Sequence, residues 1–207
     1  MTSQVLRRSA LVIALAAGLA TPFFAQAQSG PWLVRVHALS LDSANKDTTG
    51  LGLSINNKVF PEFDISYFFT PNIAAELVLT YPQKHDIRSN GTNIGSLKHL
   101  PPTLSAQYHF TGLGAAKPYV GVGLNYTHFS NVEFAPAVVT ALNPSIDKNS
   151  VGLAVGAGLD FEITKTMVLN IDVKKVQIRT DVKSNGVKAG EFKVDPVLVG
   201  LGVGWKF

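Results

Sequence analysis

The chain has 207 residues, of which 15% are charged and 46% hydrophobic, with no cysteine and a formal net charge of +4. That charged fraction is well under the roughly 25% of soluble domains, and the lack of cysteine excludes a disulfide framework and a lipoprotein. No Lys/Arg cluster interleaved with aromatics is present, so nucleic acid is not an expected partner.

Met1 to Ala27 combines Arg7 and Arg8, an apolar run from Ala10 to Ala20, and Ala25-Gln26-Ala27. This order reads as a secretory signal peptide over 1–27, cleaved after Ala27. A retained membrane anchor is the alternative, but the run is short and breaks at Pro22. The remainder, 28–207, is one domain by its length of about 180 residues. No apolar run in it reaches the ~20 residues of a transmembrane helix.

What it contains instead is alternation with a period of two, a strand signal. The first candidate strand, Trp32 to Ser40, sets Trp32, Val34, Val36 and Ala38 against Arg35 and His37, although Leu33 and Leu39 spoil the polar face. The second, Pro61 to Phe69, ends in a Thr70-Pro71-Asn72 turn; the third runs from Ile73 to Gln83. A polar connection, His85 to Leu97, leads into a hairpin built of Pro102 to Phe110 and Tyr119 to Thr127, turning through the small residues from Thr111 to Lys117. After the connection Ser130 to Asp147 come Val151 to Ile163 and Met167 to Arg179, joined by Thr164-Lys165-Thr166. A polar stretch with a Ser184-Asn185-Gly186 turn precedes the last strand, Asp195 to Phe207.

Connections thus alternate between long and short. This predicts an all-β fold: an eight-stranded antiparallel transmembrane β-barrel with short periplasmic turns, long extracellular loops and both termini periplasmic. A soluble barrel would also alternate, but its polar face would carry many long charged side chains. Here that face carries Gly, Ser, Thr, Ala and Asn with scattered Arg35, Asp64, Glu76, Asp160, Asp172, Lys174 and Lys206. Small residues and pairable charges suit a crowded lumen. The apolar face then meets outer-membrane lipid. Trp32, Phe69, Tyr108, Phe110, Trp205 and Phe207 are expected as its periplasmic aromatic girdle, and Tyr81 and Tyr126 as the outer one.

Parity restricts the register. Apolar positions are odd in the second and third strands, so paired positions sum to an even number, for example Phe69 with Ile73, a register in which Tyr81 would oppose Pro61. Pro82, Pro101 and Pro102 then fall at a similar height near the outer leaflet. Proline cannot donate to a ladder. These residues either end the sheet at its rim or mark a weak seam through which an apolar molecule leaves sideways.

The segments His99-Leu100-Pro101-Pro102-Thr103-Leu104, Ala106-Gln107-Tyr108-His109-Phe110, Pro118 to Tyr126, Asp195-Pro196 and the terminal Phe207 resemble the OmpW family of small outer-membrane β-barrel proteins (OmpW/AlkL-like). The resemblance spans nearly all of 28–207 and is weakest in the loops. It implies an eight-stranded barrel in the outer membrane of a Gram-negative bacterium, with a narrow hydrophobic passage for small apolar solutes. It carries no shared catalytic motif and no cofactor. Phe207 after an alternating strand also fits the family-level signal read by the barrel-assembly machinery.

Five histidines are present, but no HxxxH or HExxH, so no metal site is expected. His37 and His109 read as lumen residues. His128-Phe129-Ser130-Asn131 resembles the HxSN motif of the lipid A deacylase PagL, but the acidic partner such a site needs has only Glu133 as a candidate; the expectation is a protein that is not an enzyme. The apolar Phe134, Val138 and Leu142 in the fifth connection are expected to form a vestibule for ligand passage together with Pro82, Pro101 and Pro102. The expected function is passive uptake of small hydrophobic molecules. The alternatives are a structural or interaction barrel with a closed lumen and, least favoured, a deacylase-like enzyme.

Overall fold

The computed structural model describes residues 30–207; the expected signal peptide lies outside them. Eight strands form the wall: β1 (Trp32–Asp42), β4 (Lys58–Phe68), β5 (Ile73–Leu79), β8 (Thr103–His109), β9 (Ala116–Phe134), β11 (Asn149–Glu162), β12 (Met167–Val176) and β15 (Val197–Lys206). Each pairs antiparallel with its neighbour, β15 pairs with β1, and β9 pairs with β11, so the sheet closes. Closure leaves the wall no edge strand. The chain ends help to seal it: Trp32 and Phe207 exchange backbone hydrogen bonds at 3.3 and 2.9 Å.

The pleat sorts the side chains as the alternation required. Phe63, Leu77, Leu104, Val122, Leu124, Val155, Ile171 and Leu201 point outward and are exposed. Arg35, His37, Glu62, Asp64, Glu76, Asp160, Asn170 and Asp172 point inward and are buried. β4, 11 residues long, rises about 3.3 Å per residue; tilted near 40°, it carries the apolar band roughly 25 Å along the barrel axis. The predicted register holds, since Phe63 opposes Leu79 and Tyr67 opposes Ala75.

The long connections differ from the polar loops expected of them, because they are β-structured. β6 (Gln83–Ser89) and β7 (Thr92–Leu100) form a hairpin whose second strand pairs with the upper part of β9, and β3 (Leu53–Ile55) pairs with β6. A second sheet joins β10 (Pro144–Ile146), β13 (Arg179–Ser184), β14 (Val187–Lys193) and β2 (Lys46–Asp47) in the order β10-β13-β14-β2. A short helix, α1 (Pro136–Leu142), follows β9. These extensions share one apolar core above the wall, in which Leu53, Ile55, Ile87, Leu97, Phe129, Val182, Phe192 and Val194 are buried together.

Glycine makes room where inward side chains are large. A Cβ on Gly158 would lie 2.8 Å from Tyr119 Cε1 and closer still to its Cζ and Oη. Gly158→Val is therefore expected to destabilise the barrel by about 1–3 kcal/mol, the usual cost of overpacking, in urea unfolding from lipid vesicles. A ΔΔG within error of zero would show that the Tyr119 ring moves freely.

Candidate functional site: a lumen half plugged and half apolar

The lower lumen is filled by charge. Arg35 on β1 is fully buried, because alternation turns it inward and the barrel is too narrow for it to reach water. Its Nη1 donates to Glu76 and Ser66, both at 2.9 Å, while Nε and Nη2 grip Asp160 at 3.0 and 2.6 Å. The guanidinium carbon lies 5.2 Å from the Tyr119 ring centre. Asn170 Nδ2 donates to Asp160 at 2.7 Å and to Tyr119 Oη at 3.1 Å.

Higher up, Lys174 Nζ stands 2.6 Å from Glu62, 3.2 Å from Asp172 and 3.6 Å from Asp64. His37 Nδ1 is 3.2 Å from Asp64, and its Nε2 is 2.9 Å from Asn170 Oδ1. His37, Glu62, Asp64 and Asp172 bring potential ligand atoms within 4.8 Å of one another. The ammonium of Lys174 stands among these carboxylates and supplies their counter-charge. At the lower mouth Lys206 pairs with Glu162 at 2.5 Å.

Above this plug the lumen turns apolar. A cavity, open in part to solvent, is lined on its upper side by Leu39, Leu41, Phe60, Val78, Ile178 and Leu198, and on its floor by Glu62, Glu76, Asp172 and Lys174. Leu39 and Leu41, on the face that Leu39 had seemed to spoil in the sequence, point inward and are almost wholly buried. The apolar core of the extensions lies over the top.

One side of the cavity wall lacks a ladder. The β4–β5 pairing stops at Phe63 and Leu79, and the β5–β8 pairing stops at Val78 and Thr103. β4 nevertheless continues up to Lys58 against β1. Thr80, Tyr81 and Pro82 cross the interval outside any strand. Tyr81 would oppose Pro61 in this register, but the ladder has already ended. Across the interval Asn125 Nδ2 donates to the carbonyls of Pro101 and Pro102 at 3.1 and 3.2 Å, tying them to β9 and not to β5. Thr80, Pro101 and Thr103 line the cavity at this point.

A model of the OmpW family matches residues 26–207. The chain belongs to the OmpW family. It is 39% identical to the outer-membrane protein y4mB of Sinorhizobium fredii, over 94% of this chain and 90% of that one. It is 33% identical to outer membrane protein W of Vibrio cholerae, over 93% and 95%. Among solved structures, that of OprG from Pseudomonas aeruginosa superposes with a TM-score of 0.74 at 25% identity, covering 87% of this chain and 97% of that one. The closed eight-stranded barrel of this OmpW-family chain is thus an outer-membrane barrel.

Within this OmpW-family barrel the expected site residues separate. Pro101 lines the cavity, and Pro82 and Pro102 border the unladdered interval. Phe134, Val138 and Leu142 do not line the cavity: Phe134 packs against the upper apolar core, and Val138 and Leu142 sit on α1, none of whose residues is buried. Trp32, Phe69, Tyr108, Phe110, Trp205 and Phe207 gather at the lower end of the wall. There Trp32 meets Tyr67 edge-on at 4.8 Å, and Tyr108 meets Phe110 at 5.1 Å. Tyr81 and Tyr126 are exposed at its upper end. His128 and Ser130 point outward, as parity required. His128 Nδ1 contacts Asn149 Oδ1 at 2.8 Å, and no hydrogen bond among the described residues joins it to Ser130 or Glu133.

A buried polar group that the sequence reading missed lies above the wall, in the β6–β7 hairpin. His85 and His99 stack with ring centres 4.7 Å apart and planes 7° apart, and both are fully buried. Burial, the neighbouring His85 and then Lys58 push His99 down to about 3; burial also lowers His85. Unfolded, His99 takes up a proton below about pH 6.5. Acid therefore favours the opened hairpin between about pH 6.5 and about pH 3. Amide hydrogen exchange in β6–β7, corrected for intrinsic rates, is expected to lose up to about 1.4 kcal/mol of protection per pH unit in that window; flat protection would contradict it.

Proposed function

We propose that this protein is a passive channel for small hydrophobic molecules, which occupy the upper lumen cavity and leave sideways into the outer leaflet. The observation that carries this reading is an apolar cavity above a charged floor, beside a wall that lacks its ladder between Leu79 and Thr103. The floor cannot pass an apolar solute, since doing so would strip the partners from Arg35, Glu76 and Asp160, at several kcal/mol each. A gap in backbone pairing can be crossed without breaking ladder hydrogen bonds. The OmpW-family resemblance, with its implied hydrophobic passage, agrees.

In this reading both termini face the periplasm, the two aromatic groups anchor the barrel at the membrane surfaces, and the last strand ending in Phe207 is what the assembly machinery engages. No covalent chemistry is involved. The closed structural barrel would have a continuous wall between β5 and β8, and the early end of that ladder weighs against it. Transfer of a labelled apolar solute into liposomes tests the proposal. Rates should rise with protein present, with no matching leak of a hydrophilic dye; equal rates with and without protein would sink it.

A further inference from the structure

Three fully buried polar side chains, Gln83, His85 and His99, cluster in the β6–β7 hairpin, and His99 alone of them lines the cavity. Gln83 stands opposite His99 in the β6–β7 ladder, and His85 stacks on His99. Among the described residues Gln83 Oε1, His85 Nε2 and both ring nitrogens of His99 have no hydrogen-bond partner. His99 lines the cavity, as do Phe60 and Pro101. Buried polar atoms are normally satisfied, and a purely apolar solute would satisfy none of these.

The free atoms have a definite polarity. Gln83 Nε2 donates to the Tyr81 carbonyl at 3.0 Å, which leaves Oε1 as an acceptor. His85 Nδ1 lies 2.9 Å from the Asn56 carbonyl, which can only accept. The proton is therefore on Nδ1, and Nε2 of a neutral ring is an acceptor. His99, also neutral, offers one donor and one acceptor. The cluster thus presents three acceptors and a single donor. A carboxylate, which only accepts, is poorly served there. A hydroxyl group, which donates once and accepts, is well served. One metal ion bridging both histidines is disfavoured, because imidazole lone pairs lie in the ring planes and these planes are parallel and stacked.

We propose that the His99 ring, fully buried in this structure, turns toward the cavity and, with Gln83 beside it, binds the hydroxyl group of an amphipathic solute, an alcohol or phenol, whose hydrocarbon part lies against Leu39, Leu41 and Phe60. The substrate class so named rests on the channel reading above, although the binding site does not. The test uses the full-length protein in lipid bilayers with ¹⁵N-labelled imidazoles. 1-Octanol should shift the His99 ring resonances saturably, and n-octane should not. In liposomes, His99→Phe should reduce octanol transfer about fivefold, the worth of roughly one neutral hydrogen bond, and leave octane transfer unchanged. His99→Asn, which keeps a donor and an acceptor, should retain part of the preference.

Ring resonances that ignore octanol, or respond equally to octane, would overturn the proposal; so would His99→Phe reducing both solutes alike, which marks a packing role. If neither solute crosses faster than in protein-free vesicles while octanol still shifts His99, the hydroxyl site stands and the channel reading fails.

Discussion

Arg35→Met is expected to destabilise the folded barrel by roughly 3–5 kcal/mol, the cost of breaking a buried ion-pair network from one side. Methionine fills much of the same volume, so the loss is electrostatic. Glu76 and Asp160 would be left buried with no cation at hydrogen-bond distance, since Arg35 supplies the ion pairs to both. Arg35→Lys keeps the charge but cannot fork to Asp160 through two nitrogens while reaching Ser66 and Glu76; an intermediate loss is expected. The neutral triple variant Arg35→Met, Glu76→Gln, Asp160→Asn should regain much of the stability, because it removes the stranded charges. Urea unfolding in vesicles measures this directly, and the two tryptophans, Trp32 and Trp205, report from the lower rim. A loss below about 1 kcal/mol for Arg35→Met would mean that water reaches the plug and screens it.

The second large effect concerns passage, not stability. Thr80 is inward-facing, half-buried and outside any strand, and it lines the cavity at the interruption of the wall. Thr80→Trp places an indole in that opening without breaking a ladder. Transfer of an apolar solute should fall by about tenfold, equivalent to roughly 1.4 kcal/mol on the barrier, with urea stability changed little. Ala154→Trp, on another part of the cavity wall, fills volume without closing the interruption and should cost less. Equal losses from the two would favour simple filling of the cavity over a sideways exit.

The barrel was legible in the sequence because a period of two over long strands, with small residues on one face, has few other solutions. Parity narrowed the β4–β5 register to even sums, and the pairing across the Thr70-Pro71-Asn72 turn taken as the example is the one observed. The upper structure was less legible, because its signals are short. Asn90 and Gly91, both at positive φ, form the two-residue turn of the β6–β7 hairpin and are a readable hairpin signal. The surrounding polar residues make the segment look like a loop.

The site was partly legible for a related reason. Leu39 breaks the alternation of a polar face, and such a break reads as noise until a neighbour across the lumen breaks it too. Phe60, Val78, Ile178 and Leu198 do so around the same cavity, and only closure of the barrel brings them together. The apolar run around α1 gave a louder but misplaced signal, since its residues lie outside the cavity. The prolines carried real information about where the β5–β8 ladder stops.

Photolabelling tests the account most directly. A diazirine-bearing alkane, added to the protein in bilayers and activated by light, can be mapped by mass spectrometry. Adducts are expected on Leu39, Phe60, Thr80 and Pro101, around the cavity and its interrupted wall, with none on Arg35, His109 or Asp160. Adducts running through the plug to the lower mouth, or a cavity left unlabelled, would contradict it.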